Sequence, residues 1–366
     1  MHVNELVQPN KSFLKGLENE VTKIFADAIY ENGYCEYSSR EIAKTILETA
    51  LQKSSLEGNA TIPDSDTVFY RLKNSRLTEE TILSMLYKSR PQSHEPIIVL
   101  LDVHDDMYCG RKYDRHGNKI MVVGTKPKEG SHQAFKYLTA KRPHGEVVYT
   151  FPLFNGSVIE SSIKIIEELQ RSYTICYVIG DGAFPSSLLI DYLKANKIHF
   201  VFRYPSTSKL RCTNMPYNVL KTYSTTYKAP YKGRLGTIPV DFYICKYRGE
   251  IKEDAKKKDF YIISDLKLSA RKLRKFLKCR WDIESGFREI ERLTIRTTTR
   301  SYLLRYFFHV VACIIYNFWM DLRNSIDIRM RDMVLLILQI EPARVFRILE
   351  KRMKYILRGK QLWPAQ

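Results

Sequence analysis

Three acidic residues stand out by their neighbours. Asp102 closes a short apolar run, Pro96-Ile-Ile-Val-Leu-Leu-Asp-Val, and opens an acidic knot with Asp105 and Asp106. So continuous a β-branched and aliphatic run predicts a strand buried on both faces. A carboxylate ending such a strand is costly unless it is paired or bound to a cation. Asp181 follows a second run of this kind, in Ile179-Gly180-Asp181-Gly182-Ala183, where the flanking glycines permit a tight turn. Ligands of open α/β sheets gather at such strand ends. Glu284 lies in Arg280-Trp281-Asp282-Ile283-Glu284-Ser285-Gly286-Phe287-Arg288. At helical spacing, Phe276, Ile283, Phe287 and Ile290 share an apolar face. Arg280, Glu284, Arg288 and Glu291 fall on the adjacent stripe. Glu284 is therefore expected over the sheet edge, near both aspartates, bracketed by Arg280 and Arg288.

Each residue alone has an ordinary explanation: a turn or capping Asp, or an ion-paired helix face. Together the three suit Mg²⁺, a hard cation that prefers oxygen ligands and keeps several waters. Two such ions about 3.5–4 Å apart activate the attacking oxygen and stabilise the leaving oxygen of an in-line displacement. Arginines beside them hold phosphates bidentately. Other chemistries lack their residues. There is no Gly-rich phosphate loop of the Walker kind and no Gly-x-Ser-x-Gly elbow. His104, His116, His132, His144 and His199 lack a metal-ligand spacing, and His104 reads as structural.

Charge points the same way. The chain of 366 residues carries 59 Lys and Arg against 40 Asp and Glu, a formal net charge of +19. That balance suits a polyanion, and counterion release would make its binding salt-sensitive. A merely soluble basic protein and a membrane-surface protein are the alternatives. Basic residues spread along the whole chain favour nucleic acid. Seven cysteines, an odd number with no Cys-x-x-Cys pair, argue against a disulfide framework or a structural zinc. The chain therefore reads as intracellular, and the N-terminus lacks a signal-peptide pattern. The most apolar stretch, Tyr306 to Met320, contains His309 and Asn317 and reads as a buried helix, with no membrane partner.

The elements that must position these residues follow from periodicity. Residues 1–95 read as a helical, DNA-binding unit or a plain helical cap. Helices are expected over Ser12 to Tyr30 and Ser39 to Lys53, then one capped by Asp66 and one started by Thr78 and Thr81. Arg71, Lys73 and Arg76 are its basic candidates. Residues 96–204 alternate strands and helices. Strands are expected at 96–103, Lys119 to Thr125, Gly145 to Phe151, Ser172 to Ile179 and Ile198 to Tyr204. Helices are expected at Ile159 to Gln170 and Phe184 to Asn196. This is a mixed α/β sheet with helices on its faces. Residues 205–258 read as a β-rich insertion with a strand at Thr237 to Tyr247. Residues 259–325 return to the core: a strand at Phe260 to Ser264, a long helix from Ser269 to about Leu293, and a helix from Ser301 to Met320. Residues 326–366 form a basic C-terminal segment, amphipathic from Met333 to Leu357.

In this order and context the residues resemble the DDE transposases of bacterial and archaeal insertion sequences, in particular the group with a Tyr-Arg-Glu-Lys signature around the catalytic Glu. The resemblance covers roughly residues 96 to 320. Leu100-Leu101-Asp102 matches the first Asp, and Gly180-Asp181-Gly182-Ala183-Phe184 the second. Residues 205–258 stand where the family carries a β-strand insertion. Arg280 and Glu284 match the Arg and Glu of the signature. The signature Tyr falls at Leu277 and the Lys at Glu291, positions that touch phosphates in the family; Arg288 or Arg292 would stand in for the Lys.

The resemblance implies an RNase H-like core, with Asp102, Asp181 and Glu284 catalytic and holding two Mg²⁺, Mn²⁺ being a substitute. It implies DNA contacts by Arg280, Arg288, Arg292 and Trp281. It implies double-stranded DNA partners (terminal inverted repeats and target) and a homodimeric synaptic complex. The protein would cleave at the repeats and transfer the freed 3′ ends, in the cytoplasm of a prokaryotic cell and associated with its nucleoid. Two other readings stay open: a catalytically inactive transposase-derived DNA-binding protein, and another RNase H-like nuclease.

Overall fold

The apolar run at Ile97 does form the first strand, and the strand outlasts the run. The computed structural model describes residues 11–31, 35–57, 63–89, 95–114, 116–128, 130–154, 157–204, 215–231, 234–250 and 257–338. Four helices come first: α1 (Lys11–Ala26), α2 (Ser39–Leu51), α3 (Ser65–Asn74) and α4 (Glu79–Lys88). Then follow β1 (Ile97–Met107), β2 (Val123–Lys128), β3 (Ser131–Lys141), β4 (Val147–Leu153), α5 (Val158–Gln170), β5 (Ile175–Gly180), α6 (Ser187–Ala195) and β6 (His199–Tyr204). The chain continues through β7 (Leu220–Tyr231), β8 (Arg234–Glu250), β9 (Lys257–Ser264), α7 (Ala270–Lys278), α8 (Arg280–Leu293), α9 (Tyr302–Ile326) and α10 (Met330–Ile337).

The described strands form one sheet in the order β2-β3-β1-β5-β6-β9-β8-β7, with β4 beside β2 on the free edge of β3. β1 runs parallel to β5, and β5 to β6; β3, β4 and β9 join antiparallel. This is the RNase H-like mixed sheet flanked by helices. The residues from 205 to 258 extend it: β7 and β8 form a long hairpin, and β8 pairs with β9. Residues 205–214, 232–233 and 251–256 of this segment lie outside the described residues.

Period-two alternation sorts the strand side chains between two cores. Ile97, Val99 and Leu101 of β1 pack with α5 and α6 on one face. Leu100, Ile179 and Val201 pack on the other, with α8, α9 and the four N-terminal helices. α9 is the only described helix long and apolar enough to cross a membrane, and 94% of its most apolar window is buried inside the fold. It is the central core helix instead, and α1 to α4 cover it as a cap. Arg71 belongs to that cap. It is 3% exposed, and it donates to the carbonyls of Tyr30 at 2.7 Å and Tyr37 at 2.6 Å. It is thus a structural arginine and not a DNA contact.

Several expectations need correcting. β3 was not expected, because Ser131-His-Gln-Ala-Phe-Lys mixes polar and helix-forming residues; pairing with β1, β2 and β4 overrides that weak preference. Asp64, not Asp66, caps α3, accepting from the Thr67 amide at 2.7 Å. Asp102 does not end its strand, since β1 runs on to Met107 against β3. The single helix expected from Ser269 is broken at Cys279, where amides of Cys279 and Asp282 bond three residues back instead of four. Of the C-terminal segment, residues 339–366 lie outside the described residues.

Candidate active site

Asp102 and Asp181 emerge where parallel pairing stops. The last β1–β5 pair is Leu101↔Gly180; Asp102 is the next residue of β1, and Asp181 is the first residue after β5. By alternation, Asp102 turns to the face of Leu100 and Asp181 to the face of Ile179. That is the face on which Ile283, Phe287 and Ile290 of α8 are buried. The three carboxylates line a single cleft of about 1140 Å³. Phe287 and Ala183 are among its apolar walls.

Local bonds fix the aspartates. The Asp102 Oδ1 accepts from the Val103 amide at 2.9 Å, and the Asp181 Oδ1 from the Ala183 amide at 2.8 Å. Neither Gly180 nor Gly182 has a positive φ, so the turn is not what requires glycine. At Gly180 the reason is space: a Cβ would stand 2.7 Å from the Phe184 ring and 3.2 Å from Phe202. At Gly182 a Cβ would come no closer than 3.8 Å to the Arg203 carbonyl.

Electrostatics show that the carboxylates share one field. Burial pushes the Asp102 carboxyl up to about 6, and the charges of Asp181 and Glu284 add to the rise; the Val103 amide and Arg280 oppose it. Glu284 is about half exposed and is held by Arg280 at 2.6 Å. Among the described residues no set of three His, Cys, Asp or Glu side chains has already closed to metal-ligand geometry. The donor set still fits a hard divalent cation. All three are oxygen donors, and a buried Asp raised by two like charges is what a cation would relieve.

The helix bearing Glu284 is anchored by a pair not anticipated from sequence. Lys141, at the end of β3 and fully buried, donates from Nζ to Asp282 Oδ2 at 2.6 Å. The His144 amide donates to the same oxygen at 2.6 Å. Burial would raise Asp282, yet the ammonium and these bonds hold it below its ordinary value. Gly286, one turn on, leaves room for Lys141: a Cβ there would stand 3.0 Å from its Cε.

The expected DNA contacts divide. Arg288 lines the carboxylate cleft, bonded to Ser285 Oγ at 3.2 Å, and Arg292 lines the neighbouring cleft, paired with Glu289 at 2.7 Å. Trp281 is 59% exposed and lines neither. Leu277, at the signature Tyr position, is buried in the core, while Glu291 lines the cleft. His104 is buried, stacked on His309 and tilted against Phe287, as a structural histidine is. Sequence reasoning missed Lys136, which also lines the cleft and pairs with Asp105 at 3.4 Å. Only the Asp105↔Lys136 register on the unexpected β3 brings it there, so the sequence carried no signal for it.

A family model described as the transposase DDE domain matches residues 93–318. The chain belongs to the transposase DDE domain family. It is therefore an enzyme of DNA cleavage and strand transfer, and its sheet is the RNase H-like core of that family. The transposase is also similar in fold to a solved structure, the piggyBac transposase synaptic complex with hairpin DNA. The TM-score is 0.58 at 10% identity, over 100% of this chain and 84% of that one. No curated protein matches the sequence.

Proposed function

We propose that this transposase mobilises an insertion sequence by cutting at terminal inverted repeats and joining the freed 3′ ends to target DNA. Asp102, Asp181 and Glu284 would hold two Mg²⁺, or Mn²⁺ in their place. The convergence of these three carboxylates on one cleft, in a transposase DDE domain, carries the reading. The bound ions would activate the attacking oxygen and stabilise the leaving one. The chain's own residues do the positioning. Arg280 neutralises Glu284 from outside the cleft lining, and Arg288, which lines the cleft, would grip a phosphate. Lys141 and Asp282 hold α8 against the sheet so that Glu284 faces the same cleft as the two aspartates. In-line phosphoryl transfer needs mainly such placement and charge compensation.

DNA partners follow from the family and from the charge of +19. A homodimer in the synaptic complex, and a cytoplasmic, nucleoid-associated place in a prokaryotic cell, belong to the same reading. The structural relative, solved as a synaptic complex with hairpin DNA, supports an assembled state.

A strand-transfer assay tests the whole. End-containing DNA with Mg²⁺ should yield joined products with the wild type and none with Asp181→Ala, which should still bind DNA. Binding without joining by the wild type would favour an inactive, transposase-derived DNA-binding protein. Normal cutting by Asp181→Ala would refute the site.

A further inference from the structure

From Arg280 onward, every fourth residue to 300 is charged: Arg280, Glu284, Arg288, Arg292, Arg296 and Arg300. α8 ends at Leu293, so helical spacing no longer aligns the last two. They are aligned nonetheless. Arg288, Arg292, Arg296 and Arg300 line a second cleft of about 1030 Å³, joined by Lys53 from the turn after α2. The two clefts adjoin, with His104, Asp105, Met107, Arg288 and Glu291 lining both.

The segment from Thr294 to Ser301 is bonded on both sides although it is neither helix nor strand. Arg305, nearly buried, donates to the carbonyls of Thr299 at 2.8 Å and Thr297 at 2.9 Å. Its third bond, at 2.9 Å, goes to Asp106 of β1. From the other side, Glu57 accepts from the Thr298 amide at 2.9 Å and from the hydroxyls of Thr297 and Thr298, each at 3.0 Å. The Arg296 amide donates to the Ser54 carbonyl at 3.2 Å. Acidic groups of this cleft have partners of their own, Asp106 with Arg305 and Asp105 with Lys136.

We propose that this second cleft is a track for the phosphodiester backbone of a nucleic-acid strand that leads away from the carboxylates, gripped by Lys53, Arg296 and Arg300 as well as Arg288 and Arg292. The proposal rests on the transposase reading and adds to it a path and its residues. Cations gathered along one cleft on a fixed frame can meet successive phosphates with little ordering cost. The frame joins the Glu284 helix, β1 and the N-terminal helices, so a strand seated there is registered directly against the reacting centre.

The test is the triple variant Lys53→Asn, Arg296→Gln, Arg300→Gln, with Asn chosen because Lys53 has a positive φ of 54°. The probes are a labelled random-sequence duplex and the corresponding single strand, titrated over a salt series. Each lost phosphate contact should flatten the log K against log salt slope by roughly 0.9 on duplex or 0.7 on single strand. A flattening of about two to three is expected on one of the probes, with an unchanged melting temperature. The probe affected tells whether the track takes a paired or an unpaired strand. A control, Lys164→Gln, Arg171→Gln, Lys197→Asn, removes equal charge from the α5 and α6 side. Equal flattening by the control, or unchanged slopes in the track variant, would overturn the track alone. A wild type that binds neither probe would overturn the transposase reading, and the track with it.

Discussion

Asp102 in β1 and Asp181 just after the adjacent parallel β5 each lie one residue beyond the last backbone pair, Leu101↔Gly180. Two chain segments nearly eighty residues apart thus deliver their carboxylates to one sheet edge in register. Glu284 arrives on a helix packed over the same face.

Removing any one of these acids should remove catalysis and spare binding. Asp102→Asn, Asp181→Asn and Glu284→Gln are each expected to lower cleavage by at least about 10²–10³-fold, the scale of losing one group that stabilises developing charge. Gel-shift affinity for the same DNA should stay within a few-fold. A variant that cuts at the wild-type rate removes its residue from the site.

Asp102 should also be costly to the folded protein when no divalent cation is present. Its carboxyl is raised from 3.8 to about 6 by burial and by Asp181 and Glu284. A raised acid carries no penalty below the unfolded value, and the penalty grows as pH rises through the folded value. In chelator, Asp102→Asn should therefore be more stable than wild type above pH 6, by on the order of 3 kcal/mol (about two pKa units). The advantage should vanish near pH 4. Added Mg²⁺ should stabilise wild type and leave the variant unmoved. Melting curves across pH check each statement, and an advantage that persisted at pH 4 would contradict it.

Breaking the Lys141–Asp282 pair should loosen α8. Lys141→Met leaves Asp282 deprived of its cation, and a cost of about 3–5 kcal/mol is expected from an orphaned, largely buried charge. The double variant Lys141→Met, Asp282→Asn should recover much of that. Chemical denaturation of these two variants and of Asp282→Asn decides; an additive double variant would mean the two residues act independently.

Gly180 and Gly182 should respond unequally to alanine. Gly180→Ala forces a methyl against Phe184 and should cost about 1–3 kcal/mol, with strand-transfer activity falling as Asp181 shifts. Gly182→Ala meets only ordinary contacts and should be near neutral in stability. Equal effects would show that turn conformation, and not space, selects the glycines.

Much of this was legible in one dimension because it is local. Continuous apolar runs announced β1, β5 and β6; helical spacing placed Ile283, Phe287 and Ile290 on one face and Glu284 on the next; Thr78 and Thr81 marked the start of α4 with their reciprocal cap. Burial on two faces selects a strand, and a repeat near 3.6 selects a helix, whatever the rest of the chain does. What needed the tertiary structure were the relations across long separations. β3 became a strand only because three neighbours offered it backbone partners. Its pairing with β1 brought Lys136 to Asp105, and its end brought Lys141 to Asp282. Burial, and the repulsion of Asp181 and Glu284, raise Asp102; both depend on distance in space and not along the chain, so only the folded arrangement could decide it.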